Sequence, residues 1–292
     1  LCRRMPRLIA GYRLAMDAVV KPRAQDRKLM SAAASSGLFG ESATFYAALE
    51  QIRRAAQSGA HLILTIPDGG PRSEILNLLE KLSPKPKRGG FVELGLDVAD
   101  RGRVLDVVFG RSDAATSQEL LRRDNTHIVL HGIQDLTQPV QDRLRRLLTT
   151  GAYTQAGSTT RRSPRARMVV VVDPVEAARL PLEAAHVIHV EYPRLAARGE
   201  EIAPLLSAVF SQLGATSGLS GKISPAVMQR LRAHLWPRNE EELRRVAGTL
   251  LTALQAGEVT LDFIEARLNL DASMVMPEVT VTPKQQLVET LA

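Results

Sequence analysis

The residue types best suited to chemistry stand in one short run, Pro67-Asp68-Gly69-Gly70-Pro71-Arg72-Ser73-Glu74. Phosphate binding calls for glycines, so that backbone N–H groups can approach the anion. It also calls for a cation for the distal oxygens and a hydroxyl for a metal or an oxygen. Gly69, Gly70, Arg72 and Ser73 supply these types just before a helix. The fit is imperfect, because Pro71 has no N–H to donate and Arg72 is a planar fork rather than a lysine-like point charge. Other chemistry has less support. His61, His127, His131, His186, His189 and His234 are scattered, without the spacing of a metal site. No Ser-His-Asp arrangement can be argued, so the histidines read as structural. Arg161, Arg162, Arg165 and Arg167 cluster in a Ser/Thr/Pro-rich hairpin. That cluster reads as a solvated tip, with contact to nucleic acid or an acidic partner as the alternative.

A strand before the Gly69-Gly70 run and a helix after it would position these groups. Leu62–Ile66 is an apolar run of the length and type of a strand buried on both faces, and the pattern after Arg72 predicts a helix through Leu82. Four more strands are expected at Phe91–Gly95, Ile128–Leu130, Met168–Val172 and Val187–Val190. Between the third and fourth, Val140, Leu144, Leu147 and Leu148 share one helix face, and Gly151 is the stop. Strands alternating with helices predict a parallel α/β sheet with a ligand crevice at the strand ends. Upstream, Gly37-Leu38-Phe39-Gly40-Glu41-Ser42 leads into a helix to Ala56 that Ser42 caps; taken alone, this is an ordinary turn. Ser31–Gly37 is small and reads as flexible. The last third is helical. Ser224-Pro225 starts one helix, Trp236-Pro237 breaks the chain, and Asn239 caps the next helix. Trp236 is expected in the core.

With 292 residues, 45% hydrophobic and 24% charged, the chain can bury a large core plus a small one. Aromatics are only 4%, so that core is aliphatic. A single cysteine, Cys2, excludes an internal disulfide framework. No apolar run is long enough for a bilayer span and no secretory signal opens the chain, so a cytoplasmic protein is expected. The formal charge of +7 and the pI near 9.9 suit nucleic-acid contact. The basic residues are spread out, however, which suits an Arg/Ala-rich composition equally well.

The stretch His127–Gly157 carries a resemblance. It is similar to the AAA+ core of bacterial enhancer-binding regulators, the sigma-54-interaction domain. That family follows an apolar strand with Asp-Glu-Ile, a spaced Asp-Leu, Gln, Leu-x-Arg-x-Leu, Gly and an aromatic. Here Ile133, Asp135, Leu136, Gln141, Leu144, Arg146, Leu148, Gly151 and Tyr153 fall on that frame without a gap. Trp236, Pro237, Asn239, Glu242, Leu243 and Arg244 keep the family's lid spacing, and the resemblance runs from about Gly37 to Leu254. It implies an AAA+ P-loop-type three-layer α/β sandwich with a five-stranded parallel sheet, followed by a small all-α lid domain. The expected domains are a helical linker or remnant of a preceding domain (1–36), the α/β core (37–195), the lid (196–256) and a linker or tail (257–292). It further implies that Leu38, Phe39 and Gly40 hold an adenine edge and that Gly69, Gly70, Arg72 and Ser73 line the phosphates of ATP or ADP. Arg198 matches the second of two arginines that reach a neighbouring subunit's nucleotide.

The same alignment shows what is missing. Ile66 and Pro71 replace glycines, Arg72 replaces the lysine, and His131 and Gly132 replace the acid pair. Asp173 replaces the asparagine that senses the terminal phosphate, Ala196 the first cross-subunit arginine, and Glu241 the lid arginine. Val108-Phe109-Gly110 matches the entry to the family's sigma-contacting loop, but no such loop follows. Phosphoryl transfer needs a phosphate cradle, a metal-holding acid, a water-positioning acid and charge-stabilising arginines. The expectation is therefore a degenerate transcription regulator, a pseudo-ATPase without catalytic residues or metal ligands. It would act on protein partners of the transcription machinery or on an intact homologue, or on DNA through a separate helix-turn-helix. A weak ATP-binding ATPase and a non-catalytic scaffold are the alternatives. Because the chain opens on Leu1 and ends near a partial helix, a piece of a longer protein is expected.

Overall fold

A computed structural model describes residues 24–84, 90–94, 105–112, 119–213, 223–257 and 259–273. Much of the expected N-terminal linker, much of the segment after Gly110 and the last part of the expected C-terminal tail lie outside the described residues. The chain forms two compact units. One comprises residues up to Pro67 together with Pro71–Pro193, and the other comprises Asp68–Gly70 together with the chain from Arg194.

In the first unit five strands, β1 (His61–Thr65), β2 (Phe91–Leu94), β3 (His127–His131), β4 (Arg167–Val172) and β5 (Val187–Glu191), form one sheet in the order β2-β3-β4-β1-β5. Every pairing is parallel. Helices cover both faces, so β1 and β4 are buried at every position and show no polar alternation. Leu62, Leu64, Val169, Val171 and Val190 pack against α1 (Ala24–Ser35), α2 (Ala43–Gln57) and α3 (Arg72–Leu82). Ile63, Ile128, Leu130, Met168, Val170 and Val172 face the other way, against α4 (Gln138–Thr150) and the short α5 (Pro174–Ala177). The result is the expected three-layer sandwich.

Several local expectations hold. The Ser42 hydroxyl accepts the Phe45 N–H at 3.1 Å. Gly151 ends α4 with φ +63°, where a side chain would be strained. Val140, Leu144, Leu147 and Leu148 are all buried. Two expectations fail. The run from Ser31 is not a flexible segment but the end of α1, whose Leu29 and Ala33 sit in the core; alanine-rich sequence favours helix, and the neighbouring α2 and α3 supply the burial. Arg167 is not at a solvated tip either. It opens β4 and is buried, with Nε donating to the Ala60 carbonyl at 2.5 Å.

Arg167 also sets the behaviour of two histidines. His61 begins β1 and His127 begins β3, and β4 lies between these strands. The His61 Nδ1 accepts the Met168 N–H at 3.1 Å. Burial first, and then the positive charge of Arg167, hold both imidazoles down to about 4 from the usual 6.5. Because these folded-state values are depressed, the unfolded chain takes up protons first. The stability that the two neutral rings contribute is full above about pH 6.5 and falls as pH drops toward 4. A melting-temperature profile should decline across that window, and His61→Asn should reduce the decline by about half, leaving the His127 contribution. A flat profile above about pH 5, where carboxylates hardly titrate, would refute this.

The second unit is helical: α6 (Ile202–Gln212), α7 (Pro225–Ala233), α8 (Asn239–Ala256) and α9 (Leu261–Ser273). Ser224 caps α7 by accepting the Val227 N–H at 3.3 Å. Trp236 is buried as expected. Its Nε1 donates to the Leu231 carbonyl at 3.1 Å, and its ring meets His234 edge-on. Among the described residues no helix is long and apolar enough to cross a membrane.

Candidate functional site

In the first unit the chain leaves β1 at Thr65, passes Ile66 and Pro67, and after the Asp68–Gly70 turn enters α3 at Arg72. Pro71 precedes α3 without a side-chain cap, and Glu74 stands in the first turn. Arg72 and Ser73 are exposed. Leu38 is buried in the core cluster that also holds Ile66 and Ile75. Phe39 is half-buried and Gly40 buried. Gly37 has φ +88° and lies so near α3 that a Cβ there would sit 3.1 Å from Glu74 Cγ. The turn that leads into Leu38, Phe39 and Gly40 therefore abuts the helix that carries Arg72 and Ser73. Glu74 places a carboxylate of the chain's own at the positive end of α3, where a bound anion would also have to sit.

The C-terminal ends of β3 and β4 complete this edge. His131, the last residue of β3, has Nε2 2.6 Å from Glu93 Oε1 on β2. Burial lowers its pKa most, Glu93 opposes the fall, and the charge of Arg72 adds to it. Arg72 and His131 therefore lie within electrostatic range of each other. Gly132 turns the chain with φ +64°. Asp173 follows β4 and caps α5, accepting from Val175 N–H at 2.7 Å and Glu176 N–H at 2.8 Å, while Glu176 accepts the Asp173 N–H at 3.2 Å. Burial raises the Glu176 pKa, the hydrogen bond from the Asp173 N–H opposes the rise, the charges of Asp173 and Asp135 add to it, and Arg72 lowers it. The edge thus gathers one guanidinium, one imidazole that burial keeps neutral, and the carboxylates of Asp135, Asp173 and Glu176. Their summed charge opposes a polyphosphate. Among the described residues no group of three His, Cys, Asp or Glu side chains is placed to share a metal ion.

The remaining candidates belong to the second unit. Asn239 Nδ2 donates to the Asp68 carbonyl at 2.8 Å, and Glu241 N–H donates to the Gly69 carbonyl at 2.9 Å. Gly69 has φ +69°, and a Cβ there would lie 2.0 Å from the Arg238 carbonyl oxygen. The turn that carries Gly69 and Gly70 is therefore fastened by its carbonyls to the first turn of α8. Asn239 does not cap α8 as expected. Arg238 is the boundary residue, and its N–H is accepted by Glu242 at 3.0 Å. Asn239 has φ +43°, which asparagine tolerates better than most residues. Its Oδ1 accepts the Leu195 N–H at 2.8 Å, so one amide brackets two segments. Glu241 pairs with Arg238 at 3.0 Å.

Arg198 is fully buried. Its guanidinium meets Glu201 at 2.7 Å and Glu240 at 2.8 Å. Both acids are buried as well, so the arginine is part of the second unit's interior. Asn239 as a bracket, Glu240 as a partner of Arg198 and Glu93 as the partner of His131 are not legible in the sequence. Each pair joins positions distant in sequence, and no local signal announces it.

Comparison with known proteins agrees with this architecture. No protein-family model matches the chain. It is 26% identical over 255 residues to the regulatory protein LuxO of Vibrio cholerae, covering 80% of this chain and 54% of that one. It is 27% identical over 240 residues to the DNA-binding transcriptional regulator NtrC of Azospirillum brasilense, covering 76% of this chain and 50% of that one. The chain thus spans about half the length of the curated relatives it matches. NtrX from Brucella abortus, solved in complex with ATP, superposes with a TM-score of 0.56 at 21% identity, over 80% of this chain and 58% of that one. The fold is that of the AAA+ proteins.

Proposed function

We propose, for a chain related to the AAA+ sigma-54-interaction domains of enhancer-binding regulators, the role of a transcription regulator that does not hydrolyse ATP. It acts through protein partners of the transcription machinery, an intact homologue, or DNA. The observation that carries this reading is His131, beside Glu93 and under the charge of Arg72 at the end of β3. Hydrolysis on this fold requires an acid there to hold the metal and a second acid to position water. An imidazole kept neutral by burial and a glycine at 132 supply neither. Asp173, engaged as a helix cap, cannot reproduce the amide contact to a terminal phosphate.

The second reading, an ATPase with weak residual activity, is favoured by the presence of Gly69, Gly70 and Ser73, with Arg72 as the cation beside them. It also draws on the ATP complex of NtrX. Titration calorimetry with ATP and ADP, with phosphate release followed in the same sample, separates the two. No heat of binding at about millimolar nucleotide and no release are expected. Phosphate release that disappears in Arg72→Ala would overturn the proposal. Binding without release would recast the protein as a nucleotide-sensing switch.

A further inference from the structure

On the α4 side of the first unit, between the last turns of α4 and the strand-like segment after it, lies a cleft of about 590 Å³. Arg143, Arg146, Thr150, Ser158, Thr159 and Arg161 line it, and none of its lining residues is acidic. The arginines of this region divide cleanly. Those with a carboxylate partner lie outside the cleft: Arg145 with Asp142 at 3.1 Å, Arg162 with Glu119 at 3.1 Å and Arg165 with Asp124 at 3.4 Å. Among the described residues Arg143, Arg146 and Arg161 have no such partner. Arg143 is instead steadied by a bond from Nη1 to the Thr154 carbonyl at 3.2 Å. The α4 C-terminus opposes an anion with about half a charge, and three guanidinium groups outweigh that.

We propose that this cleft binds the phosphodiester backbone of a nucleic acid without reading its sequence. Guanidinium forks and hydroxyls are the side chains that contact backbone phosphates. A protein partner would need an apolar anchor. Tyr153, the one large ring in the lining, is buried and its hydroxyl donates to Glu119. A base would need an exposed aromatic face to stack on, and the lining offers none. What remains is a purely electrostatic site, and counterion release makes such a site sufficient for nucleic acid. The net charge of +7 steers the encounter. The inference gives the proposed regulator a surface, and it stands whether or not ATP is hydrolysed, because nucleotide calorimetry does not touch it.

The test is fluorescence anisotropy of the full chain with a short labelled duplex of random sequence, at several salt concentrations. Arg146→Ala plus Arg161→Ala, both exposed and remote from the core, should weaken binding more than about tenfold and flatten the salt slope by about two. Arg145→Ala removes one positive charge from the same helix outside the cleft and should change affinity less than about twofold. Circular dichroism checks that each variant is folded. Equal loss in Arg145→Ala would reduce the effect to overall charge and overturn the proposal. So would competition by polyglutamate matched in charge, which would point to an acidic protein, or by inorganic triphosphate at micromolar level, which would point to a small polyanion.

Discussion

Arg198→Ala should lower the stability of the second unit by about 3–5 kcal/mol. The reason is what the variant leaves behind. Glu201 is 2% exposed and Glu240 6%, and both carboxylates address the same guanidinium. Without it, two acids face each other in an interior that cannot hydrate them. A loss of this size corresponds to a melting temperature of that unit lower by at least about 12 °C. Replacing all three residues together, Arg198→Met with Glu201→Gln and Glu240→Gln, should recover much of the loss, since a buried ion cluster is costly to break but not to replace. The experiment also separates two roles. An arginine that reached into a neighbouring subunit would be dispensable for folding, and Arg198→Ala would then melt like the parent chain while altering only a nucleotide-dependent readout. That outcome would sink the structural assignment.

Gly69→Ala is the second large effect, at about 3 kcal/mol. An alanine at φ +69° is strained by roughly 1–2 kcal/mol. Its methyl would also meet the Arg238 carbonyl at 2.0 Å, so the first turn of α8 must retreat. That retreat loosens the Glu241-to-Gly69 bond and the Asn239-to-Asp68 bond, each contributing about 1 kcal/mol. Hydrogen exchange at the Glu241 amide reports the change directly and should quicken with the loss of melting temperature. A glycine present only to let a phosphate approach would behave differently. Its alanine variant would lose nucleotide affinity and keep both the melting temperature and the protected Glu241 amide. Asn239→Ala belongs to the same bracket and should quicken the same amide.

The two sets of residues differ in how far the chain itself could foretell them. The central strands announce themselves as short aliphatic runs, because a parallel sheet covered on both faces accepts apolar side chains at every position of β1 and β4. The α4 face, the Ser42 and Ser224 caps and the Gly151 stop are likewise written in local spacing, since each depends on neighbours three or four residues away. The residue types at His131, Gly132, Asp173 and Glu241 are also legible from the sequence alone.

Partnership was not legible. The helical character of the Ser31 run depended on two helices, α2 and α3, to pack against. Asn239 looked like a cap, but its amide is engaged by Asp68 and Leu195, one of them 171 residues away. Arg198 looked like a surface finger until Glu201 and Glu240 closed on it. The four hairpin arginines were indistinguishable in sequence. Folding buries Arg167, pairs Arg162 and Arg165, and leaves Arg161 to join Arg143 and Arg146 around one cleft. Sequence by itself determined the elements and the residue types at the candidate site, because burial pattern, capping and residue type are local properties. Tertiary structure alone decided which charges are neutralised and which stay available, because electrostatic pairing depends on distance in space and on the water excluded around it.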